Sequence, residues 1–324
     1  MKLVIQIPCL NEEATLPVTL GDLPRELPGF ESIEVLVIDD GSTDRTSEVA
    51  HALGVERVVR FSRRRGLARV FDAGLRESLA MGADVIVNTD ADNQYVGADI
   101  ARLVEPILAH RADMVVGTRP IDSIEHFSML KKSLQRLGSG VVRALSAADV
   151  PDATSGFRAY SREAALRLTV VTGFTYTLET LIQASHKNIV IAHVPIRVNG
   201  KLRESRLFRG TGAYVTRSLG TMIRVYLLYR PLRFFLSLAA LFGAGALALF
   251  VRFLVVFFTT KGPSGHVQSL VVSASLSMIA ALFVALGVLA DLTAMNRRLL
   301  EEILVNTRLQ RLGTGRTDNG RDGR

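Results

Sequence analysis

Two short acidic segments hold the side chains best suited to chemistry. They are Asp39-Asp40-Gly41-Ser42-Thr43-Asp44 and Asp90-Ala91-Asp92-Asn93-Gln94. Each follows an apolar run that predicts a buried strand, residues 34–38 before the first segment and 83–89 before the second. Carboxylates at the carboxyl ends of parallel strands face the crevice in which α/β sheets bind ligands. The two segments therefore predict one site that binds a nucleotide together with a metal ion.

The second acidic segment has the donor atoms of a divalent-cation site. Asp90 and Asp92 flank the small residue Ala91, a spacing that brings one carboxylate to the cation and the other to a ribose or to metal-bound water. Gln94 lies on the same side if the strand pitch continues, and it can supply a further oxygen. Oxygen-only ligands favour Mg²⁺ or Mn²⁺, which keep positions open for substrate phosphates. Solvated loops also contain Asp-x-Asp, so the preceding strand carries much of this prediction.

The first acidic segment predicts the nucleotide contacts. A carboxylate at the end of a strand can accept a hydrogen bond from a nucleobase N–H or a ribose hydroxyl. Helix capping explains the three residues 42–44, but it does not explain Asp39 and Asp40. The chain has neither a G-x-G-x-x-G nor a G-x-x-x-x-G-K-[ST] pattern, which argues against a dinucleotide or P-loop site. Including the loop after the first strand, the predicted nucleotide contacts are Pro8, Leu10, Asn11, Glu13, Asp39, Asp40, Asp90 and Ala91.

The elements that position these segments alternate between strand and helix patterns. Strands are predicted at 2–8, 34–38, 58–61, 84–89, 113–117 and 190–198. Helices are predicted from about residue 11, from 42–44 to Gly54, over 67–81 and over 99–110, and a further helix over 133–149 follows a loop at 120–132. Such alternation predicts an α/β fold with a mostly parallel sheet flanked by helices.

The C-terminal part of the chain predicts a membrane hairpin. The apolar runs 234–258 and 270–292 each exceed the ~20 residues that cross a bilayer core. Residues 211–232 have apolar side chains at helical spacing and predict an amphipathic helix in the membrane interface, with packing against the globular domain as the alternative. Residues 294–324 would form a basic, partly disordered tail.

The distribution of charge predicts the partner and the topology. The net charge is +8, and many of the basic residues lie between residues 201 and 233, beside the first apolar run. Such residues attract anionic lipid headgroups by about 1 kcal/mol each, so we expect a bilayer partner and no nucleic acid. The connection 259–269 has Lys261 as its only cation, so the positive-inside rule places the catalytic domain and both termini in the cytoplasm of a multi-pass plasma-membrane protein. Cys9 is the only cysteine, which excludes an internal disulfide.

The order of motifs resembles a known family. Motifs at 7–13, 39–44, 90–94, 117–119 and 155–158 occur here in the order seen in family 2 glycosyltransferases with the GT-A (Rossmann-like) fold. Within that family the chain resembles the dolichol- and polyprenyl-phosphate sugar synthases. The resemblance covers residues 1–210, which we predict to form the catalytic domain.

The resemblance also implies roles for individual residues. It implies that Asp39 binds the nucleotide and that Asp90, Asp92 and Gln94 hold the metal ion. Arg119 would face the diphosphate or the acceptor phosphate, so Asp90, Asp92 and Arg119 form the predicted catalytic set. The predicted sugar and acceptor contacts are Ser155, Gly156, Arg158, Glu179, Arg203, Ser205 and Arg206. The segment 203–206 reads Arg-Glu-Ser-Arg, where the family more commonly has Gly-x-Ser-Lys.

The reaction implied is inverting transfer of a sugar from a GDP- or UDP-sugar to polyprenyl or dolichyl phosphate at the cytoplasmic face. A phosphate monoester has a second pKa of about 6, so this acceptor is already anionic and needs cations rather than a general base. A hydroxyl of a lipid or lipid-linked saccharide is the alternative acceptor, and it would need a carboxylate base. Glu179 and Asp152 are the candidates, and each also has a purely structural interpretation as an ion-pair or turn residue.

Two other interpretations are open at the level of sequence. A processive polysaccharide synthase would carry a Gln-x-x-Arg-Trp motif, but the chain contains no tryptophan. A non-catalytic membrane scaffold would be expected to lose its acidic segments, and both are intact here. A homo-oligomer is compatible with the sequence, and neither the base nor the sugar of the donor is identified by it.

Overall fold

The alternating patterns of the N-terminal part fold into one mixed sheet. The computed structural model describes residues 1–120, 151–170, 176–200, 226–227, 229–259 and 267–318. In these residues the strands are β1 (Lys2–Cys9), β2 (Ser32–Asp39), β3 (Arg57–Arg60), β4 (Val85–Asn88), β5 (Met114–Thr118), β6 (Arg158–Ser161) and β7 (Ile191–Pro195). Their order is β3-β2-β1-β4-β6-β5-β7, and β6 runs antiparallel to both of its neighbours while the other pairs are parallel. The predicted mostly parallel sheet is confirmed.

The helices of this unit are mostly short and pack against the sheet. They are α1 (Leu16–Asp22), α2 (Thr46–Ala52), α3 (Leu67–Ala80), α4 (Ile100–Leu108), α5 (Arg162–Arg167) and α6 (Tyr176–His186). A single 3₁₀ turn, Gly97–Asp99, precedes α4. In α3 the apolar residues Phe71, Leu75 and Leu79 recur at helical spacing and are buried. Because helices cover the sheet, the interior of β1 and all of β4 are buried, and their polar loops emerge at the carboxyl edge.

The structure differs from the sequence prediction at two places near the site. The first helix begins at Leu16 rather than near residue 11, because Asn11 adopts a positive φ of 56° and the Glu12 carbonyl closes a turn by accepting the amides of Thr15 and Leu16. Strand β6 was not predicted, since Arg-Ala-Tyr-Ser lacks the apolar run that marks the other strands. Its antiparallel pairing places residues 155–158 beside the end of β4.

The apolar C-terminal runs form two long helices. They are α7 (Pro231–Thr259) and α8 (Val267–Asp318), and both are long and apolar enough to cross a membrane. Small residues bring them together, because a Cβ atom on Gly287 would lie 3.1 Å from Cβ of Phe235. The hydroxyl of Ser273 donates to the Ala246 carbonyl at 2.7 Å. The sequence predicts a partly disordered tail from residue 294, whereas the structure continues α8 as helix to Asp318.

The chain divides into two units, Met1–Val215 with Val305–Arg324 and Thr216–Leu304. Several predictions lie outside the described residues. These are the loop at 120–132 beyond its first residue, the helix at 133–149, most of the interface helix at 211–232, and the acceptor residues Arg203, Ser205 and Arg206. Each of them stays a prediction.

Candidate active site

The loops after β1 and β2 are interlocked by hydrogen bonds. The amide of Asn11 donates to Oγ of Ser42 at 2.9 Å, and Oδ1 of Asn11 accepts the amide of Thr43 at 2.8 Å. Oε2 of Glu13 accepts the amide of Arg45 at 3.0 Å. Asn11 and Glu13, both predicted nucleotide contacts, therefore use these polar atoms to join the two loops. Beside them Pro8 is buried and Leu10 is partly exposed.

The carboxylates at the end of β2 also hold backbone in place. Asp39 is fully buried, and its Oδ1 accepts the amide of Ser42 at 2.7 Å while its Oδ2 accepts the Ser47 hydroxyl and lies 3.5 Å from Nε of Arg60. Oδ1 of Asp40 accepts the amide of Arg65 at 2.6 Å. Both side chains thus hold the neighbouring loops in place, and their direct contact with a nucleotide stays a prediction.

A close backbone approach brings a basic loop to the same edge of the sheet. Gly41 has a positive φ of 74°, and a Cβ atom there would lie 2.8 Å from the carbonyl carbon of Arg63. Only glycine fits this position without displacing the neighbouring loop. Arg63, Arg64 and Arg65 are exposed and follow β3 directly, so this contact holds three cations beside the end of β2.

Asp90 and Asp92 follow β4 at the carboxyl edge. Oδ2 of Asp92 accepts a hydrogen bond from Nε2 of Gln94 at 2.8 Å. A Cβ atom on Gly156 would lie 3.2 and 3.3 Å from the two carboxylate oxygens of Asp90 and 2.9 Å from Oη of Tyr176. Gly156 therefore lies against the carboxylate, which brings the predicted metal and sugar-contact residues together.

A buried polar network surrounds Gly156, the residue that lies against Asp90. Asn88 is fully buried; its Nδ2 donates to the Gly156 carbonyl at 2.8 Å and to Oη of Tyr176 at 3.1 Å, and its Oδ1 accepts Nε2 of Gln6 at 2.9 Å. The amide of Gly156 donates to Oη of Tyr95 at 3.2 Å. The pKa of each tyrosine is raised well above the ordinary value for a phenol. Burial is the largest cause and the negative charge of Asp90 is the second. Both phenols therefore stay protonated at neutral pH.

Arg119, which follows β5, forms a bidentate pair with Asp152. Its Nε lies 2.7 Å from Oδ2 of Asp152, and its Nη2 lies 3.0 Å from Oδ1 of Asp152 and 2.9 Å from the Thr154 hydroxyl. Burial opposes ionisation of Asp152, but the hydrogen bonds and charge of Arg119 outweigh it and lower the pKa of that carboxyl. Asp152 is thus an ionised partner of Arg119 and a poor proton acceptor at neutral pH.

Arg158 and Glu179 lie deeper than the sequence predicts. Arg158 is fully buried, and its guanidinium donates to the carbonyls of Ser155 at 2.7 Å, Thr177 at 2.8 Å and Ala153 at 2.8 Å. Glu179 is fully buried in α6. These donors of Arg158 hold backbone, and its predicted contact with sugar or acceptor stays a prediction. The buried hydroxyl of Ser155, in contrast, has no hydrogen-bond partner among the described residues.

Comparison with known proteins identifies the family. Residues 4–169 match the model of glycosyl transferase family 2. The chain belongs to this family. The undecaprenyl-phosphate mannosyltransferase of Micrococcus luteus is 31% identical over 65% of this chain and 89% of the relative. The UDP-N-acetylglucosamine–dolichyl-phosphate N-acetylglucosaminyltransferase of Methanococcus voltae is 28% identical over 64% of this chain and 89% of the relative. These relatives support a transferase enzyme that resembles polyprenyl-phosphate sugar transferases.

A solved structure confirms the predicted GT-A fold. Glucosyl-3-phosphoglycerate synthase from Mycobacterium tuberculosis, solved with Mn²⁺, UDP and phosphoglyceric acid, has a TM-score of 0.56 and 24% sequence identity. The match covers 69% of this chain and 78% of the synthase. At this identity the likeness concerns the fold.

The family 2 site fits a divalent cation that also binds substrate phosphates. In the described part of the chain, no three His, Cys, Asp or Glu side chains form a metal cage. Mg²⁺ and Mn²⁺ need no such cage here, because one or two carboxylates plus substrate phosphates can hold them. Asp90 and Asp92 would provide that donor set, and their role as metal ligands stays a prediction. Gln94 donates its amide hydrogen to Asp92, so it positions this carboxylate, and its role as a ligand stays a prediction.

Sequence reasoning missed the polar residues that support the family 2 motifs. Asn88, Tyr95 and Tyr176 were not singled out, although all three lie around Gly156. A signal was present for Asn88, since a polar side chain inside an otherwise apolar strand must find partners when buried. No comparable signal marks the two tyrosines.

Proposed function

We propose that this family 2 transferase moves a sugar from a nucleotide-sugar donor to a polyprenyl phosphate, with inversion at the anomeric carbon. The observation that carries the proposal is the state of the two candidate bases. Asp152 is ion-paired with Arg119 and has a lowered pKa, and Glu179 is buried inside α6. An acceptor that is already anionic suits such a site, because it needs no proton removed.

The chain's own residues divide the work as follows. Asp90 and Asp92 hold Mg²⁺ or Mn²⁺, with Asp90 oriented by its contact with Gly156. When bound, the cation supplies positive charge to the departing diphosphate. Arg119 and the loop arginines 63–65 would provide further positive charge for the phosphate groups of donor and acceptor.

The membrane half of the proposal uses α7 and α8. Both helices would cross the bilayer, and the predicted basic segment at 203–206 would bind the acceptor phosphate beside the cytoplasmic headgroups. The short connection with a single cation would face outward, which leaves both termini in the cytoplasm. A reporter fused after Arg324 tests this topology, since a signal from the external side would refute it.

The donor and acceptor can be tested together. The purified protein is incubated with polyprenyl phosphate, Mn²⁺ and a panel of radiolabelled UDP- and GDP-sugars, and the label entering the organic phase is counted. We expect one donor to label the lipid and Asp92→Asn to abolish the labelling. Label that appears only with a lipid-linked saccharide would favour transfer to a hydroxyl and refute the proposed acceptor.

A further inference from the structure

Asn199 donates hydrogen bonds to three consecutive carbonyl oxygens at the end of the metal segment. Its backbone amide donates to the Gln94 carbonyl at 2.9 Å. Its side-chain Nδ2 donates to the Asn93 carbonyl at 3.1 Å and to the Tyr95 carbonyl at 3.4 Å. Asn199 therefore provides the hydrogen-bond donors for three backbone carbonyls of the loop that carries Asp92.

The loop needs such partners because it has no regular structure of its own. Asn93 adopts a positive φ of 52°, a conformation that is uncommon outside glycine and depends on its surroundings. Tyr95 forms an isolated bridge with Val198, the residue before Asn199. Beyond that bridge, the Tyr95 hydroxyl accepts the amide of Gly156, which lies against Asp90. The contacts of Asn199 thus lead to both metal carboxylates.

Arg197, two residues before Asn199, forms a second attachment to the same part of the chain through Asp99. The amide of Arg197 donates to Oδ2 of Asp99 at 2.6 Å, and Nη2 of Arg197 donates to Oδ1 of Asp99 at 2.8 Å. Asp99 is fully buried at the end of the 3₁₀ turn that follows the metal loop. Burial opposes its ionisation, but the hydrogen bonds from Arg197 lower its pKa, so it stays charged at neutral pH. Residues 197–199 are therefore attached to both ends of the segment 93–99.

We propose that Asn199 is a positioning residue that holds the Asp92 loop in its metal-binding conformation. The inference rests on the proposed function for the metal site itself, and it adds a residue outside the acidic segment on which that site depends.

The positioning role of Asn199 is tested without any lipid, so its failure is distinguishable from a failure of the proposed acceptor. Mn²⁺ binding to the full-length protein is measured by electron paramagnetic resonance with UDP and, in a separate titration, with GDP. We expect Asn199→Ala to weaken Mn²⁺ binding about 10-fold, the scale of losses on removing residues that orient metal ligands. The matched control is His193→Ala, an exposed side chain on the same incoming strand, which should leave binding unchanged. Wild-type Mn²⁺ affinity in Asn199→Ala would overturn the inference, as would an equal loss of nucleotide affinity without Mn²⁺.

Discussion

Replacing Gly156 by alanine would place a methyl group against the Tyr176 hydroxyl and the Asp90 carboxylate. The new Cβ atom would lie 2.9 Å from Oη of Tyr176 and 3.2 and 3.3 Å from the carboxylate oxygens of Asp90. Gly156 is not among the described residues with positive φ, so the backbone itself accepts alanine. The effect of the substitution therefore comes from these contacts alone.

The size of the displacement follows from the distances. An ordinary contact begins near 3.4 Å, so the Tyr176 hydroxyl must withdraw by about 0.5 Å. Its ring stacks on Phe71 with centroids 3.9 Å apart, which limits that movement, and Asp90 must give way as well. Overpacking of this kind costs about 1–3 kcal/mol of folding stability. A catalytic group misplaced by about 1 Å can lower the rate about 100-fold, so a shift of half that size should cost on the order of 10-fold.

Steady-state transfer kinetics at varied Mn²⁺ and thermal unfolding measure the two effects separately. We expect Gly156→Ala to raise the half-saturating Mn²⁺ concentration and lower kcat, with a Tm decrease of roughly 2–10 °C. Gly21→Ala is the matched control, since nothing lies within 4 Å of its new Cβ atom. An unchanged Mn²⁺ dependence and kcat in Gly156→Ala would refute the assigned contact between Gly156 and Asp90.

Three further predictions concern charge. Asp152→Asn should raise the KM for the lipid acceptor, because Arg119 loses its charged partner, and should leave the pH dependence of kcat unchanged. Loss of the acidic limb of the kcat profile would instead indicate that Asp152 is a general base. The lowered pKa of Asp152 contributes folding stability that is complete above the unfolded-state pKa of about 3.9 and is lost as pH falls below that value. The free energy of unfolding of Asp152→Asn should therefore fall less steeply with decreasing pH near pH 3 than that of the wild-type protein. Equal slopes for the two proteins would contradict this. Reversing the charges of Arg203 and Arg206 should raise the KM for lipid phosphate far more than that for the nucleotide sugar, whereas equal effects would argue against an acceptor role.

The fold was predictable because its signals are local. Apolar runs ending in Asp39 or Asp90 mark buried parallel strands, and Gly82 marks the end of α3 at a positive φ of 84°. Strand β6 was missed because its burial comes from its neighbours β4 and β5 and not from its own composition. A four-residue strand with Arg158 at its start gives no periodic signal.

Only the acidic residues of the site were predictable from the sequence. The acidic residues are adjacent in sequence, so their types and spacing indicate a metal site. The residues around them come from distant positions in the sequence. Gly156 and Tyr176 accept hydrogen bonds from Asn88, and Asn199 donates to the loop at 93–95, only in the folded chain. The burial of Arg158 was not predicted, because a motif match does not reveal that its guanidinium donates to buried carbonyl groups.

The central claim is that the acceptor is an ionised lipid phosphate. The most direct measurement offers the purified protein a polyprenyl phosphate and the polyprenol of the same chain length, with one labelled donor and Mn²⁺. The account predicts label in the polyprenyl phosphate alone, and a rate that reaches a plateau above the second phosphate pKa of about 6. Comparable labelling of the polyprenol would contradict it, because that alcohol must lose a proton to a base that neither Asp152 nor Glu179 is placed to provide.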